Sequence, residues 1–351
     1  MNKFINKALF YKEWINVRWV TLLTVIILLY FKVFGVISEL NQNKMFSKQQ
    51  GGIWNDRWFN NGLYVKDTYF FIMVFVIIIL AITLFIGEKT SETQGFMASM
   101  PFTRKEIILN KWIVGILSIL ISFVVTYVFL SLFYIANIND INTVLNPYSD
   151  IVKWFFIDIF SYICIFTFMI LIQAVMGNSI VSGIVGGIIL LVPWFVVVVV
   201  QDIIRQITKY APIAFNKIGG WVNIYGYNAT NQEFLKVGSN SSGNNYFSSF
   251  TYNDYGIKLL ILSILTCLFL YLAYLSYKKR NLEYNLKLIA FKNLEPVFIS
   301  GVAICSGLLG AVLGEGYSSE GSGVFFIWAG VFAIVGYFIS KLLIKVFSSG
   351  K

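Results

Sequence analysis

Eight times along this chain a run of mostly apolar residues reaches the length, about 20, that an α-helix needs to cross the hydrocarbon core of a bilayer. The runs are Val17 to Ser38, Thr68 to Gly87, Trp112 to Ala136, Val152 to Met176, Ile180 to Val200, Ile257 to Tyr277, Val297 to Gly314 and Val324 to Phe347. The fourth and fifth nearly touch, across Gly177 and Asn178. With 58% hydrophobic and 18% aromatic residues, the chain carries more apolar surface than an aqueous domain could cover. In lipid each backbone amide needs an internal partner, and helices provide it. The fold expected is all-α, a polytopic helical membrane protein with about eight transmembrane helices.

Lysine and arginine resist translocation, so their distribution over alternate gaps reads the sidedness. One side carries sixteen, in the clusters Lys3 to Arg18, Lys89 to Lys111, Lys278 to Lys292 and Lys341 to Lys351. The other carries ten, half of them in or beside one long segment, where charge weighs little. Both termini are therefore expected in the cytosol, with the gap between the second and third spans. The first span is expected to be an uncleaved anchor, because it is too long for a signal peptide and no small-residue cleavage site follows. The outer excursion over 201–256 contains Gly238-Ser239-Asn240-Ser241-Ser242-Gly243-Asn244-Asn245, a flexible loop by composition. Its aromatic residues, among them Trp221, Tyr225, Tyr227 and Phe250, either seat it at the headgroups or shield an apolar cargo.

Several chemistries lack their usual residues. Histidine is absent, which removes the commonest general base, proton switch and zinc ligand together. Cys164, Cys267 and Cys305 stand apart in apolar runs and read as small core residues, not as a metal pair or disulfide framework. The string GxxxxGK[ST], which wraps phosphates in backbone amides, does not occur. The net charge of +10 lies beside apolar spans, so membrane lipid headgroups and not nucleic acid are its expected counter-ions. No catalytic residue, metal ligand set or nucleotide site is expected in this chain.

The gap from Gly87 to Lys111 is more structured than a connector. Ser91 and Gln94 have capping-box spacing, and Pro101 bars Met100 from helical geometry, which predicts a short helix over Glu92 to Ser99 and a proline corner. Thr103 and Glu106 are spaced as a second capping box, with Phe102 and Ile107 placed as a hydrophobic staple, opening a helix that runs into the third span. Caps alone would suit any membrane loop. Taken with them, the order Glu88, Gly95, Met100, Pro101, Arg104, Ile107, Ile108, Lys111 resembles the cytosolic loop of type-two ABC export permeases. The resemblance implies that 87–111 docks on a separate ABC ATPase subunit. The residues it assigns to that coupling are Glu88, Glu92, Gly95, Met97, Met100, Pro101, Thr103, Arg104, Glu106 and Lys111. It also implies that ATP and magnesium sit on the ATPase, with no cofactor in this chain. Two permeases, a homodimer or a pair with a sister permease, would work together in a bacterial cell membrane.

Phe4, Ile5, Ala8, Leu9 and Tyr11 recur at helical spacing beside Lys3 and Lys7, as in an interfacial amphipathic helix, which in this family is the elbow helix. Lys12-Glu13-Trp14 and Arg18-Trp19 are expected at headgroup level. The resemblance covers the six-span core, 1–277. Beyond it lie a linker over 278–296 and an added two-span hairpin over 297–351. In the linker Leu282, Leu286 and Ile289 share a face that is expected on the cytosolic leaflet or against the ATPase. Two small-residue faces, Ser179/Gly183/Gly187 and Ser306/Gly310/Gly314, are spaced for close helix contact within the chain or across a dimer.

Asp158, Gln173 and Lys32 are the polar residues deepest in apolar runs, where ionisable groups commonly mark a pathway. Asp158 and Gln173 are the candidates for the substrate path. Their plainer alternatives are an Asp158 near the outer interface beside Lys153, and a Lys32 that snorkels from a helix end. The function expected is ATP-driven export of amphipathic peptides or other hydrophobic compounds. The alternative is a secondary carrier or channel using Asp158.

Overall fold

A computed structural model of the chain describes residues 7–50, 57–64, 67–89, 102–208, 213–240, 243–280, 288–315 and 322–349. In chain order the elements are α1 (Lys7–Leu28), a π-helical turn (Leu29–Phe34), α2 (Gly35–Gln50), α3 (Trp58–Leu63), α4 (Asp67–Ile86) and α5 (Arg104–Ala136). There follow α6 (Ser149–Val175), α7 (Ser179–Thr208), α8 (Ile213–Val222), β1 (Asn231–Asn240), β2 (Gly243–Thr251), α9 (Tyr255–Lys279), α10 (Glu295–Glu315) and α11 (Ser322–Ser349). Among the described residues eight helical stretches are long and apolar enough to cross a membrane, and each coincides with one of the eight predicted runs. The molecule is a helical multi-pass membrane protein, with one β-hairpin among the described residues.

The chain divides into two compact units. The first comprises Met1–Leu80, Asn110–Phe166 and Asn228–Leu268. Within it, α1, the π turn and α2 form one continuous helix, because no glycine or proline interrupts Lys7 to Phe34. A separate elbow helix is therefore not present among the described residues, and residues 1–6 lie outside them. Glu13 is buried within the protein, 1% exposed. The core is aromatic. The buried ring of Phe123 lies against Trp154 and Tyr162, each 5.8 Å away between centroids. The α5 backbone comes so close to α6 at Gly115 that a Cβ there would meet Phe166 at 1.9 Å.

β1 and β2 pair antiparallel from Asn231 opposite Thr251 to Asn240 opposite Gly243, with an irregularity between Lys236 and Gly238. Of the flexible loop expected from the composition of 238–245, residues 238–240 and 243–245 are strand backbone. Glycine, serine and asparagine mark loops by composition, which gives no sign that they also continue a ladder.

The second unit comprises Ala81–Leu109, Thr167–Tyr227 and Phe269–Lys351. Its last two spans, α10 and α11, lie antiparallel in close contact. A Cβ on Gly310 would meet Phe332 at 2.4 Å, one on Gly314 would meet Trp328 at 2.7 Å, and one on Gly336 would meet Ser306 at 2.5 Å. The small-residue face Ser306/Gly310/Gly314 is therefore occupied within the chain, by α11. On the other predicted face the carbonyl of Gly187 accepts a hydrogen bond from Tyr225 at 3.0 Å. Pro193 sits inside α7, as transmembrane helices allow when neighbouring groups satisfy the freed carbonyl.

The turn from α6 to α7 is capped by Asn178, whose Oδ1 accepts from the amides of Ile180 and Val181 at 3.0 and 3.2 Å. Residues 288–290 lie extended against this turn. The Gly177 amide donates to the Leu288 carbonyl at 3.3 Å and the Ala290 amide to the Val175 carbonyl at 3.0 Å. Ile289, expected on the lipid leaflet, is buried in a small core with Met176 and Leu288. The cause is the extended bridge, which puts Ile289 where a leaflet helix would not. Leu282 and Leu286 lie outside the described residues.

Candidate functional site

The candidate site is the base of the loop between α4 and α5. Of its predicted residues Glu92, Gly95, Met97, Met100 and Pro101 lie outside the described residues, as do the short helix and the proline corner. The two ends of the loop are described, and both are held.

At the leading end α4 closes at Ile86, and Glu88 and Lys89 turn inward and are buried. Lys89 Nζ donates to Gln173 Oε1 at 2.6 Å and to Ser182 Oγ at 3.3 Å. Gln173 Nε2 donates in turn to the Ser179 carbonyl at 2.8 Å. Glu88 Oε2 accepts from the Tyr277 hydroxyl at 3.3 Å. A lysine and a glutamate beside a membrane span would ordinarily face water. Here an amide oxygen and two hydroxyls replace part of that hydration.

At the trailing end the second predicted capping box forms. The Thr103 amide and hydroxyl donate to Glu106 Oε2 at 2.8 and 2.9 Å, and the Glu106 amide donates back to the Thr103 hydroxyl at 3.3 Å. The helix begins at Arg104, as that box requires. Arg104 Nη1 donates to the carbonyls of Lys278 and Arg280 at 2.9 and 2.6 Å. These are carbonyls at the C-terminus of α9, where intrahelical partners run out and positive charge is favoured. Arg280 is itself buried and reaches the Gln173 carbonyl at 3.4 Å. Burial lowers its guanidinium below the usual range, opposed by Tyr277 and Glu88 and reinforced by the nearby Arg104. Lys89, Gln173, Ser182, Arg104 and Arg280 thus join both loop ends to the α6–α7 turn and the end of α9. In the sequence Lys89 and Arg280 stand out only as topogenic charges, and nothing singles out Ser182 or Tyr277. The signal was present in the adjacency of charge to the end of an apolar run.

Lys111, in the second turn of α5, belongs to the first unit, where its Nζ meets Glu13 Oε1 at 3.0 Å with both groups buried. Asp158 also belongs there, and Gln173 to the second unit, each with its own partners. Asp158 is 2% exposed; its carboxylate accepts from Tyr69 at 2.9 Å and from Asn228 Nδ2 at 3.1 Å. Lys32 is 3% exposed and sits in the π turn. Its ammonium donates to the Leu63 carbonyl at 2.8 Å and lies 4.2 Å from the centre of the Tyr69 ring. The snorkelling alternative therefore does not hold, and a π turn is a common companion of functional positions. No group of three or more metal-ligating side chains occurs among the described residues. The arrangement is one of held loop ends and buried polar ties.

A family model described as ABC-2 family transporter protein matches residues 9–282. No curated protein and no solved structure matches the chain.

Proposed function

The chain belongs to the ABC-2 transporter family and is the permease component of an ABC transporter, and on that premise we propose that it is an exporter driven by a separate ATPase subunit that docks on 87–111. The observation that carries this reading is the anchorage of both loop ends, by Lys89 on Gln173 and Ser182 and by Arg104 on the α9 carbonyls. With Lys89 and Arg104 held, a displacement that reaches either end of the loop passes to α4 or α5 without first taking up slack at that end. Nucleotide-driven closure of the ATPases would push the segment from Glu92 to Ser99 and open the path outward. The permease would act as a dimer with itself or with a sister chain.

For cargo we propose amphipathic peptides of the toxin or bacteriocin kind. Apolar spans offer little to replace the hydration shell of a sugar or ion, whereas an amphipathic molecule could enter between helices from the leaflet. A second reading, a carrier independent of ATP, draws on the buried Lys32 and Asp158.

Copurification and transport assays in vesicles separate the two. The exporter retains an ATPase and stops with vanadate. A protein that never retains an ATPase, and whose transport follows the proton gradient unchanged by vanadate, is a carrier. The double change Pro101→Gly with Thr103→Ala should lower transport per ATP while leaving the protein in the membrane, since one cap contributes about 1 kcal/mol to a helix end. For the cargo, ATPase stimulation by a polar glycan but by no amphipathic peptide would reject the peptide assignment alone.

A further inference from the structure

α1 and α5 are tied to each other at successive heights. Glu13 Oε1 accepts from Lys111 Nζ at 3.0 Å, the Thr21 and Ser118 hydroxyls share a hydrogen bond of 2.6 Å, and the Ser122 hydroxyl donates to the Thr21 carbonyl at 3.2 Å. The partners are separated in sequence by 98, 97 and 101 positions. A near-constant offset means that the two helices run parallel and in register. Every group named is buried. Slipping α5 along α1 by one helical turn, about 5.4 Å, would break all three ties. It would also leave two opposite charges buried apart, which is far less favourable than leaving them together.

We propose that α1 and α5 move as one strut, and that Glu13 is a positioning residue that ties α1 to the helix leaving the loop at 87–111. The inference rests on the reading of that loop as the ATPase contact. The Thr103–Glu106 box fixes the first turn of α5. A displacement there passes along the helix's own hydrogen bonds to Lys111, and from Lys111 across the ion pair to Glu13. The first span thereby shares in a movement delivered to the third.

The test uses the permease reconstituted with its ATPase, with Cys164, Cys267 and Cys305 replaced by serine. Thr21→Cys and Ser118→Cys are introduced together. Their hydroxyls are near enough that two sulfurs about 2.05 Å apart can take their place. Diamide accepts the two electrons and two protons as the disulfide forms. If the strut moves as one body, the cross-link forms and transport per ATP stays within about twofold of the reduced protein. No cross-link, or a loss on oxidation that a reductant restores, overturns the proposal.

Glu13→Gln and Lys111→Gln should each lower transport per ATP by about tenfold, and Glu13→Lys combined with Lys111→Glu should recover most of it. Wild-type transport per ATP in both single variants, whatever their expression, overturns the role of Glu13. Retention of the ATPase is scored on the same preparations. Loss of the partner, which would defeat the coupling reading, is therefore seen apart from a change in the ratio, which tests the strut.

Discussion

Two buried ion pairs of the first unit are built differently. Glu13 and Lys111 join two helices along a seam of side-chain contacts. Arg57 and Asp150, 3.1 Å apart, stand inside a web. Asp150 Oδ2 also accepts from Asn60 Nδ2 at 2.7 Å, the Asn60 amide donates to Asn146 Oδ1 at 3.1 Å, and the Phe250 amide donates to Asn60 Oδ1 at 3.3 Å. The Tyr134 hydroxyl donates to the Asn146 carbonyl at 2.8 Å. The web fastens α3, the segment before α6 and the end of β2, all short or irregular, to the first turn of α6 and the last turn of α5. Short elements cannot hold themselves, so several polar groups share the work of fixing them. Long helices need no such help, and a tie between two of them does something else: it makes the motion of one the motion of the other.

If the seam lies on the cytosolic side and the web on the outer side, as the lysine and arginine tally implies, chemical access should split them. With the native cysteines replaced, single cysteines at Ser99 and Ser349 should resist an impermeant thiol reagent in intact cells and one at Ser241 should react, an all-or-none difference. Labelling at Ser349 but not at Ser99 would remove the pairing of the last two spans. A smaller effect is expected from Glu13→Ala, which strands Lys111 and should lower unfolding free energy in micelles by about 3 kcal/mol. Asp150→Asn keeps an acceptor for Asn60 and should lower it by about 1.5 kcal/mol. If Asp150→Asn proves the more damaging of the two, the contrast between seam and web is wrong. The smallest effect belongs to Thr103→Ala, which removes one side of the cap and should cost about 1 kcal/mol, read as increased amide exchange in the first turn of α5.

The spans were legible because bilayer thickness sets a length that sequence alone can match, and the second capping box was legible because Thr103 and Glu106 act within one turn. What escaped depends on neighbours distant in the chain. Glu13 sits among residues that suit a headgroup anchor, and only its contact with Lys111, nearly a hundred positions away, shows that it is buried. Lys89 looked like one more topogenic lysine until Gln173 and Ser182 supplied its partners. The hairpin is not legible because glycine, serine and asparagine mark turns and loops by composition, and a strand can carry them when a neighbouring strand pairs with its backbone. The bridge at Ile289 escaped because its apolar spacing fitted a leaflet helix equally well.

Whether displacement enters through the held ends of the loop is measured most directly by the ratio of cargo moved to ATP hydrolysed. In the reconstituted complex Lys89→Met combined with Arg104→Met removes the side-chain anchors at both ends while leaving the intervening segment from Glu92 to Ser99 unchanged. The ATPase should stay bound and hydrolyse ATP, and transport per ATP should fall by about tenfold, the factor that a coupling free energy of about 1.4 kcal/mol represents. Unchanged transport per ATP in that double variant would contradict the account.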